Sequence, residues 1–398
     1  MGNVLVVAPD FPPVVGGVSR ILEDVCDALP AEDVHVLAPW GVNYAWHEAY
    51  DMPDKSAARQ FDSARPYRVT RAWYSMKSPL RTLFSVAWFG ALTLKLAVRE
   101  KPALVYFGQP YPIGLIGLAV WLLGVRYVVH TYGSELVRPR SRVASWLHRT
   151  VLKRAFRVIA ISRWGKQTLS AMGAPRDRVV VIHPKVDVAR FATPPDLEEF
   201  KKREGLEGKR VILTVSRVAY RKGQHLVVEA MPEVIRRFPD AVYVVAGTGP
   251  DEEKLERLAA ENGVGDHVLL VGNRDIVSFY HACDVFILPS LYIQKPIGDI
   301  ESFGIVYIEA GACGKPVIGS NNGGIPDAVA DGESGLLIET GSVEAIADAL
   351  NKLLGDPGLR ERLGRQGRAR VLRSFTLDKY KDDLRELILE PLERDRGG

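Results

Sequence analysis

The chain alternates short apolar runs with longer amphipathic segments, and after a proline- and acid-rich joint the alternation starts again. Apolar runs of this length, bounded by turn residues, read as strands of a parallel sheet buried on both faces. The amphipathic stretches between them read as crossover helices. In the first half, strands are expected at Val4–Ala8, Val34–Ala38, Leu104–Phe107, Tyr127–His130 and Val158–Ile161. Helices are expected at Gly17–Leu29, Pro79–Arg99, Pro112–Leu123, Ser141–Ala155 and Arg163–Met172. Val179–Ile182 leads into the joint, whose loop runs from Phe191 to Glu199. The second half resumes with strands at Arg210–Ser216, Val242–Ala246, Val268–Val271, Val285–Pro289 and Pro316–Gly319, and with helices at Gly223–Phe238, Glu252–Asn262 and Ile276–Cys283. A chain of 398 residues is too long for one ordinary core. The expected architecture is therefore α/β, with two doubly wound Rossmann-like domains, 1–188 and 189–375, facing across a cleft. In the remainder, 376–398, a charged amphipathic helix (Leu377–Leu392) is expected to pack back on the first domain.

Hydrophobic content of 47% and charged content of 25% fit a soluble globular protein. Three widely spaced cysteines (Cys26, Cys283, Cys313) form no metal-ligand pattern and suit a reducing cytosol. The first ten residues lack the basic start and long apolar stretch of a signal peptide. The run Tyr111–Val125 is fifteen residues with Pro112 and three glycines, short of a membrane span and better read as a buried helix. The net charge of +4 hides an imbalance: residues 1–190 carry +11 and the rest −7. Part of the excess lies in Arg138–Arg157, where seven cations interleave with Trp146, Leu147, Val151 and Leu152 and no acid intervenes. Such a segment suits an anionic membrane surface, or equally a solvated helix face beside a phosphate-handling cleft. It lacks any nucleic-acid-reading motif, so nucleic acid is not an expected partner.

Several glycine-rich or basic clusters sit just after expected strands, where open parallel sheets bind ligands. Gly16-Gly17 follows the first strand and opens a helix, letting backbone amides approach an anion. The G-x-G-x-x-G of a dinucleotide site is missing there, which counts against a nicotinamide enzyme. Ser216-Arg217-Val-Ala-Tyr-Arg221-Lys222-Gly223 offers cations able to clamp a pyrophosphate. Gly247-Thr-Gly249 and Gly319-Ser-Asn-Asn-Gly323-Gly324 follow later strands. His130 ends a buried strand, where it can meet a sugar hydroxyl or serve only the core. Between Asp299 and Gly319, Glu301 and Glu309 stand eight residues apart across a loop-to-helix transition, spanning roughly 12 Å if all eight were helical. They could be an ordinary solvated face, or holders of two parts of one ligand with a pyrophosphate at the helix start between them. No Ser/His/Asp order, nucleophile elbow or zinc motif is present.

In this order and spacing, the clusters resemble the retaining two-domain glycosyltransferases of the GT-B fold, family 4, over the whole chain. Asp10-Phe-Pro-Pro with Gly16-Gly17, Arg221-Lys222-Gly223-Gln224 and Gly304-Ile-Val-Tyr-Ile-Glu309-Ala are most similar to bacterial α-mannosyltransferases of the phosphatidylinositol mannoside type. The resemblance implies GDP-mannose as donor, UDP-sugars being used by close relatives, and a lipid-linked or saccharide acceptor. It implies that Glu309 holds the ribose and that Arg217 and Lys222 neutralise the diphosphate. Gly17 would offer its amide to the distal phosphate, with Gly247, Val271 and Arg274 lining the nucleotide. Glu301, Phe303, Gly304 and Ile305 would position the sugar, and His130 would sit beside its anomeric carbon and 6-hydroxyl. Asp10 and Gly16 would lie toward the acceptor. His130, Glu301, Arg217 and Lys222 are thus the catalytic candidates, in a front-face mechanism that needs neither metal nor cofactor.

One departure is visible: the family's usual Pro-Asn-Gly-Val-Asp is here His183-Pro184-Lys185-Val186-Asp187. A cytoplasmic enzyme, or one peripheral on the inner face of a membrane, is expected. The alternatives are a UDP-sugar enzyme with a soluble acceptor, a non-catalytic nucleotide-sugar binder, and a sugar-nucleotide epimerase.

Overall fold

The computed structural model describes residues 3–14, 16–40, 55–110, 112–133, 141–193, 196–293 and 299–394. Arg138 and Arg140 of the basic segment considered above lie outside the described residues. The chain divides into two compact units, Met1–His183 with Tyr380–Gly398, and Pro184–Lys379.

The first unit is built on seven parallel strands: β1 (Val4–Val7), β2 (Val34–Pro39), β3 (Arg68–Ala72), β4 (Leu104–Phe107), β5 (Arg126–Thr131), β6 (Arg157–Ala160) and β7 (Val179–Val181). Their order is β3-β2-β1-β4-β5-β6-β7, so the winding direction reverses between β1 and β4. Both neighbours pair with β1 in parallel, Val4 opposite Val34 on one side and Leu104 on the other. The pleat sends alternate residues to opposite faces. Val4 and Val6 join Leu22, Val25 and Cys26 of helix α1 (Gly17–Ala28), whereas Leu5 and Val7 join the opposite layer. That second layer holds α3 (Pro79–Glu100), α4 (Ile116–Leu122) and α5 (Arg142–Arg154), which bury Phe89, Val120 and Val151. The short α2 (Lys55–Ser63) precedes β3 and α6 (Arg163–Ala171) follows β6. Tyr380, Leu384, Ile388, Leu389 and Leu392 of the C-terminal segment complete the α1 face of the core.

One of these elements carries no sequence signal of the usual kind. The strand β3 reads Arg-Val-Thr-Arg-Ala and lies on the sheet edge with only Ala72 buried. Its Arg71 side chain is nonetheless 2% exposed, paired with Asp62 of α2 at 2.7 Å. The same guanidinium donates to the carbonyls of Pro39 at 2.8 Å and Pro12 at 2.6 Å, so a charged residue pins the loop that follows β1.

The second unit has six parallel strands, β8 (Arg210–Val215), β9 (Ala241–Ala246), β10 (Val268–Gly272), β11 (Val285–Leu288), β12 (Val317–Ser320) and β13 (Gly335–Ile338). Their order is β10-β9-β8-β11-β12-β13, with the reversal between β8 and β11. The helices are α7 (Leu197–Arg203), α8 (Gln224–Arg237), α9 (Glu252–Glu261), α10 (Ile276–Ala282), α11 (Ile305–Ala312), α12 (Val343–Gly355) and α13 (Pro357–Ser374), with a single short turn at Ile325–Ala328. Val227, Met231 and Val234 of α8 interdigitate with Ile346, Leu350 and Leu353 of α12 over Ile212, Tyr243 and Val245. The first strand of each reversal ends at a crevice between loops, and those are the places where the sequence clusters fall.

Close helix packing yields a stability test. A Cβ at Gly364 of α13 would sit 2.0 Å from the Gly314 carbonyl oxygen, whereas one at Gly358 meets only a side-chain atom of Asp356 at 3.4 Å. Helix propensity favours alanine over glycine by about 1 kcal/mol. Gly358→Ala should therefore be neutral or slightly stabilising, and Gly364→Ala should cost about 2 kcal/mol or more. Thermal unfolding followed by circular dichroism would separate the two.

Candidate active site

The loop after β8 is shaped by residues that leave its cations facing the crevice. Gln224, buried at the start of α8, donates to Ser216 Oγ and to the Arg217 carbonyl, both at 2.9 Å. The Asp251 carboxylate accepts the Tyr220 N–H at 2.8 Å. Gly223 ends the loop at φ 76°, a left-handed conformation, with its missing Cβ 2.2 Å from the Pro289 carbonyl oxygen. The loop after β9 lies directly against it: a Cβ at Gly247 or Gly249 would strike the carbonyl oxygen of Ser216 or Val218. The two glycine and basic clusters of the sequence are thus one surface, and side chains at either glycine would push it apart.

Lys222 meets Glu301 across the β8–β11 reversal, Nζ to Oε2 at 2.5 Å, each side chain 14% exposed. Arg221 lies 3.5 Å from the same carboxylate and pairs with Asp299 at 2.8 Å. Ser290 Oγ, at the end of β11, is 3.5 Å from Glu301 Oε2. Burial pushes the Glu301 carboxyl up, but Lys222 and Arg221 outweigh it and hold Glu301 below the usual carboxylate range. Burial pulls the Lys222 ammonium down against the opposing attraction of Glu301. The backbone of Glu301 is held by the loop after β12: Gly324 donates its N–H to the Glu301 carbonyl at 2.9 Å. Gly323, at φ 54°, leaves no room for a Cβ, which would fall 2.4 Å from that same oxygen.

Glu301 precedes the helix, and only from Ile305 is the segment helical. Gly304 caps it at φ 83° with no side-chain hydrogen bond, so the first amides of α11 point into the loop region. Glu309 is 4% exposed inside α11 and accepts from Tyr280 Oη of α10 at 2.9 Å. A solvated face for the two glutamates is therefore excluded: one is paired, the other buried. Phe303 is buried against Phe375, ring centroids 5.6 Å apart, so its contribution to any ligand comes from the backbone. Arg217 is exposed beside Ser216, and Gly247 and Val271 lie at the ends of β9 and β10. Arg274, half-exposed, pairs with Glu204 just after α7.

In the first unit the equivalent crevice lies where β1, β4 and β5 end. His130, on β5, is fully buried and its Nδ1 lies 2.7 Å from Tyr106 Oη of β4. Among the described residues its Nε2 has no hydrogen-bond partner, and the Tyr132 ring lies 4.6 Å away. Burial drives its pKa down to about 3, so the imidazole is neutral. Asp10, after β1, accepts from Gln109 Nε2, after β4, at 2.8 Å. Gly16 and Gly17 open α1 with no side-chain cap and no acid in the first turn. A Cβ at Gly17 would meet nothing within 4 Å. Packing does not demand glycine there, and the open helix start is a ready anion site. An arginine-lined cavity of about 890 Å³ (Arg126, Arg154, Arg157, Arg178) opens at the amino ends of β5, β6 and β7, opposite the strand ends that carry these residues, and contains none of them. The sequence reading passed over Tyr106, Gln109, Tyr280, Ser290 and Arg71, since each acts by positioning a neighbour.

Comparison with known proteins follows the same lines. Residues 196–370 match the family described as Glycosyl transferases group 1, and residues 15–190 match Glycosyltransferase Family 4. The chain is 32% identical over 372 residues to a GDP-mannose-dependent alpha-(1-6)-phosphatidylinositol monomannoside mannosyltransferase of Mycolicibacterium smegmatis, covering 92% of each chain. It is 31% identical to a GDP-mannose-dependent monoacylated alpha-(1-6)-phosphatidylinositol monomannoside mannosyltransferase of Corynebacterium glutamicum, covering 93% of each. Among solved structures, Anabaena HepE in complex with UDP-glucose superposes with a TM-score of 0.77 at 20% identity, covering 98% of this chain and 100% of that one. Sucrose-phosphate synthase of Thermosynechococcus elongatus gives 0.75 at 21%, covering 99% and 100%. These two likenesses concern the fold.

The buried imidazole makes a prediction about pH. With His130 near pKa 3 when folded and near 6.5 when unfolded, the unfolded chain binds the extra proton in that window. Stability contributed by the neutral ring is complete above about pH 6.5 and is lost progressively as pH falls toward 3. The His130 ring resonances should show no titration between pH 5 and 8 by NMR. A His130→Gln variant should show a flatter decline of melting temperature below pH 6.5 than the parent.

Proposed function

Because the chain belongs to the family 4 glycosyltransferases and has their GT-B pair of Rossmann-like domains, we propose that it transfers mannose from GDP-mannose to a lipid-linked acceptor with retention of configuration. The observation that carries this reading is the Lys222–Glu301 pair at the β8–β11 reversal. It places a buried cation, a second cation in Arg221 and an exposed Arg217 around a crevice next to uncapped helix amides. A diphosphate brings the negative charge that this set lacks, and it draws Lys222 away from Glu301. Glu301 is then released to accept from hydroxyls of the donor sugar, while Glu309, oriented by Tyr280, receives the ribose. The names of the mannosyltransferase relatives support the base, sugar and lipid acceptor. With its cysteines buried as free thiols, the protein accords with a cytosolic setting at the inner face of a membrane.

The chemistry proposed needs no protein nucleophile. As the bond from the anomeric carbon to the diphosphate oxygen breaks, negative charge grows on the leaving phosphate. Lys222 and Arg217 are the groups assigned to stabilise it, in place of a metal ion. That phosphate oxygen takes the proton of the acceptor hydroxyl attacking the same face of the sugar. His130, neutral over the working pH range, cannot serve as a base of ordinary strength. Its Nε2 is assigned to hydrogen bonding with the sugar. Asp10, steadied by Gln109, is assigned to the acceptor.

A thermal-shift panel of GDP, UDP and ADP with their sugars tests the donor, since a ligand bound only by the folded state raises stability by RT ln(1 + [L]/Kd). GDP and GDP-mannose should give the largest shifts, and stabilisation by UDP alone would reject the mannose assignment. Slow hydrolysis of GDP-mannose should fall about a hundredfold or more in Lys222→Ala and in Glu309→Ala. Undiminished hydrolysis in both would reject the assigned site.

A further inference from the structure

Three neighbouring strands of the first unit begin at an arginine. Arg126 opens β5, Arg157 opens β6, and Arg178 stands immediately before β7. Parallel strands lie ~4.8 Å apart, and the register sets Val128 opposite Arg157 and Val158 opposite Val179, which gathers the three cations on one edge. Arg154, from the last turn of α5, joins them around the cavity of about 890 Å³. Among the described residues of the lining, Asp177 is the one acid.

The guanidiniums are oriented without being neutralised. Arg178 donates to the carbonyls of Lys153 and Ala155, and Arg157 to that of Phe156, each at 3.2 Å. Arg154 lies over the Trp121 ring, 4.4 Å from its centre, and Arg157 lies 4.8 Å from the centre of Phe156. Among the described residues, none of Arg154, Arg157 and Arg178 forms an ion pair with a carboxylate. Carbonyls and rings fix a cation in place but leave its charge. The negative end of α5 supplies about half a charge, which offsets part of one cation among four. Like charges gathered this closely repel one another, and the fold leaves that repulsion standing around an open cavity. Its complement is an anion with several charges.

We propose that this cavity binds a soluble oligophosphate, an anion of two or more linked phosphate groups. Arginine presents a planar fork that grips phosphate oxygens in pairs. The volume lies within the roughly 300–1,000 Å³ of small-molecule sites, far more than one phosphate fills. A second cavity of about 420 Å³ shares Gly124, Val125 and Arg126 and adds Lys101, so the basic groove continues along the strand ends. Arg126, Arg157 and Arg178 are half-buried, which suits a ligand that enters the cavity better than the flat surface of a bilayer. His130 lies further along the same strand, roughly 13 Å from Arg126 at the rise of a strand, so an occupant here is separate from the donor.

Calorimetric titration of sodium triphosphate into the full chain at low salt tests the site. The parent should bind it, more weakly as salt rises. Arg154→Ala/Arg157→Ala should weaken binding by roughly tenfold or more. Arg142→Ala/Arg149→Ala removes the same charge from exposed positions of α5 outside the cavity and should bind as the parent does. Lys222→Ala should keep the binding event that the cavity variant loses. Both double variants should melt with the parent in the absence of triphosphate. If the cavity variant melts early, Arg154→Lys/Arg157→Lys keeps the charge but not the forks, and it should also bind more weakly than the parent. The proposal is overturned if the parent does not bind triphosphate, if the lysine variant binds undiminished, or if the two alanine double variants weaken equally. It is also overturned if binding is lost only in Lys222→Ala, which would place the anion in the donor crevice. Phosphatidylglycerol vesicles held through Arg154 and Arg157, with no triphosphate bound, would assign the cavity to lipid head groups and overturn it as well.

Discussion

Two buried opposite charges, the Lys222 ammonium and the Glu301 carboxylate, organise the second unit around its functional edge. Removing either group from water is costly, and such a pair rarely stabilises a fold more than apolar residues of the same volume would. Each side chain is too buried to be a surface ornament and is held by further groups: Arg221, Asp299 and Ser290 around the carboxylate, and Gly323-Gly324 beneath its backbone. Removing one partner would leave an uncompensated buried charge, so each group holds the other in place. The glycines at 223, 247, 249 and 323 follow from this arrangement, since each lets one loop lie against the next at backbone distance.

The first unit solves a different problem with the opposite strategy. Where the second unit collects charge, the ends of β4 and β5 exclude it: His130 is kept neutral by burial and oriented by Tyr106. A neutral imidazole whose Nε2 has no partner among the described residues offers a directional hydrogen bond and no net charge. Such a group suits a site where positive charge develops on a sugar and a permanent cation would oppose it. The uncapped start of α1 adds backbone amides, and Arg71 from the edge strand fixes the preceding loop. On the far layer of the same unit, α3 turns Ser85 and Thr93 inward with Phe89 and Leu96, and Leu80, Leu83, Phe84 and Trp88 outward.

Much of this was legible in the sequence because parallel strands buried on both faces are continuous apolar runs. Val4–Val7, Leu104–Phe107 and Val285–Leu288 could hardly be anything else, and the clusters after them fall at the carboxyl ends of the strands. The edge strand Arg68–Ala72 was not legible, because its arginines look solvated and Arg71 becomes buried only through Asp62 and two carbonyls distant in sequence. The strand Gly335–Ile338 and the helices Val343–Gly355 and Pro357–Ser374 were not legible either, whereas the helix from Leu377 was. At the site, residue types announced Glu301, Glu309, Lys222 and His130. Their partners Tyr280, Ser290 and Tyr106 are ordinary core-type residues whose roles emerge only from packing. Phe303 reads as a ligand contact but spends its ring on Phe375, and Arg274 spends its charge on Glu204. The outward apolar face of α3 was hidden because its overall apolar content is that of any buried helix, and only burial shows which side is turned out.

On the function proposed above, the diphosphate of the donor competes with Glu301 for Lys222. Calorimetric titration of GDP into the parent protein and into Glu301→Gln measures that competition without any turnover. If the claim holds, neutralising Glu301 frees Lys222 and tightens GDP binding by about tenfold, equivalent to roughly 1.4 kcal/mol, while transfer activity is lost. GDP affinity that stays the same or weakens in Glu301→Gln would contradict the account.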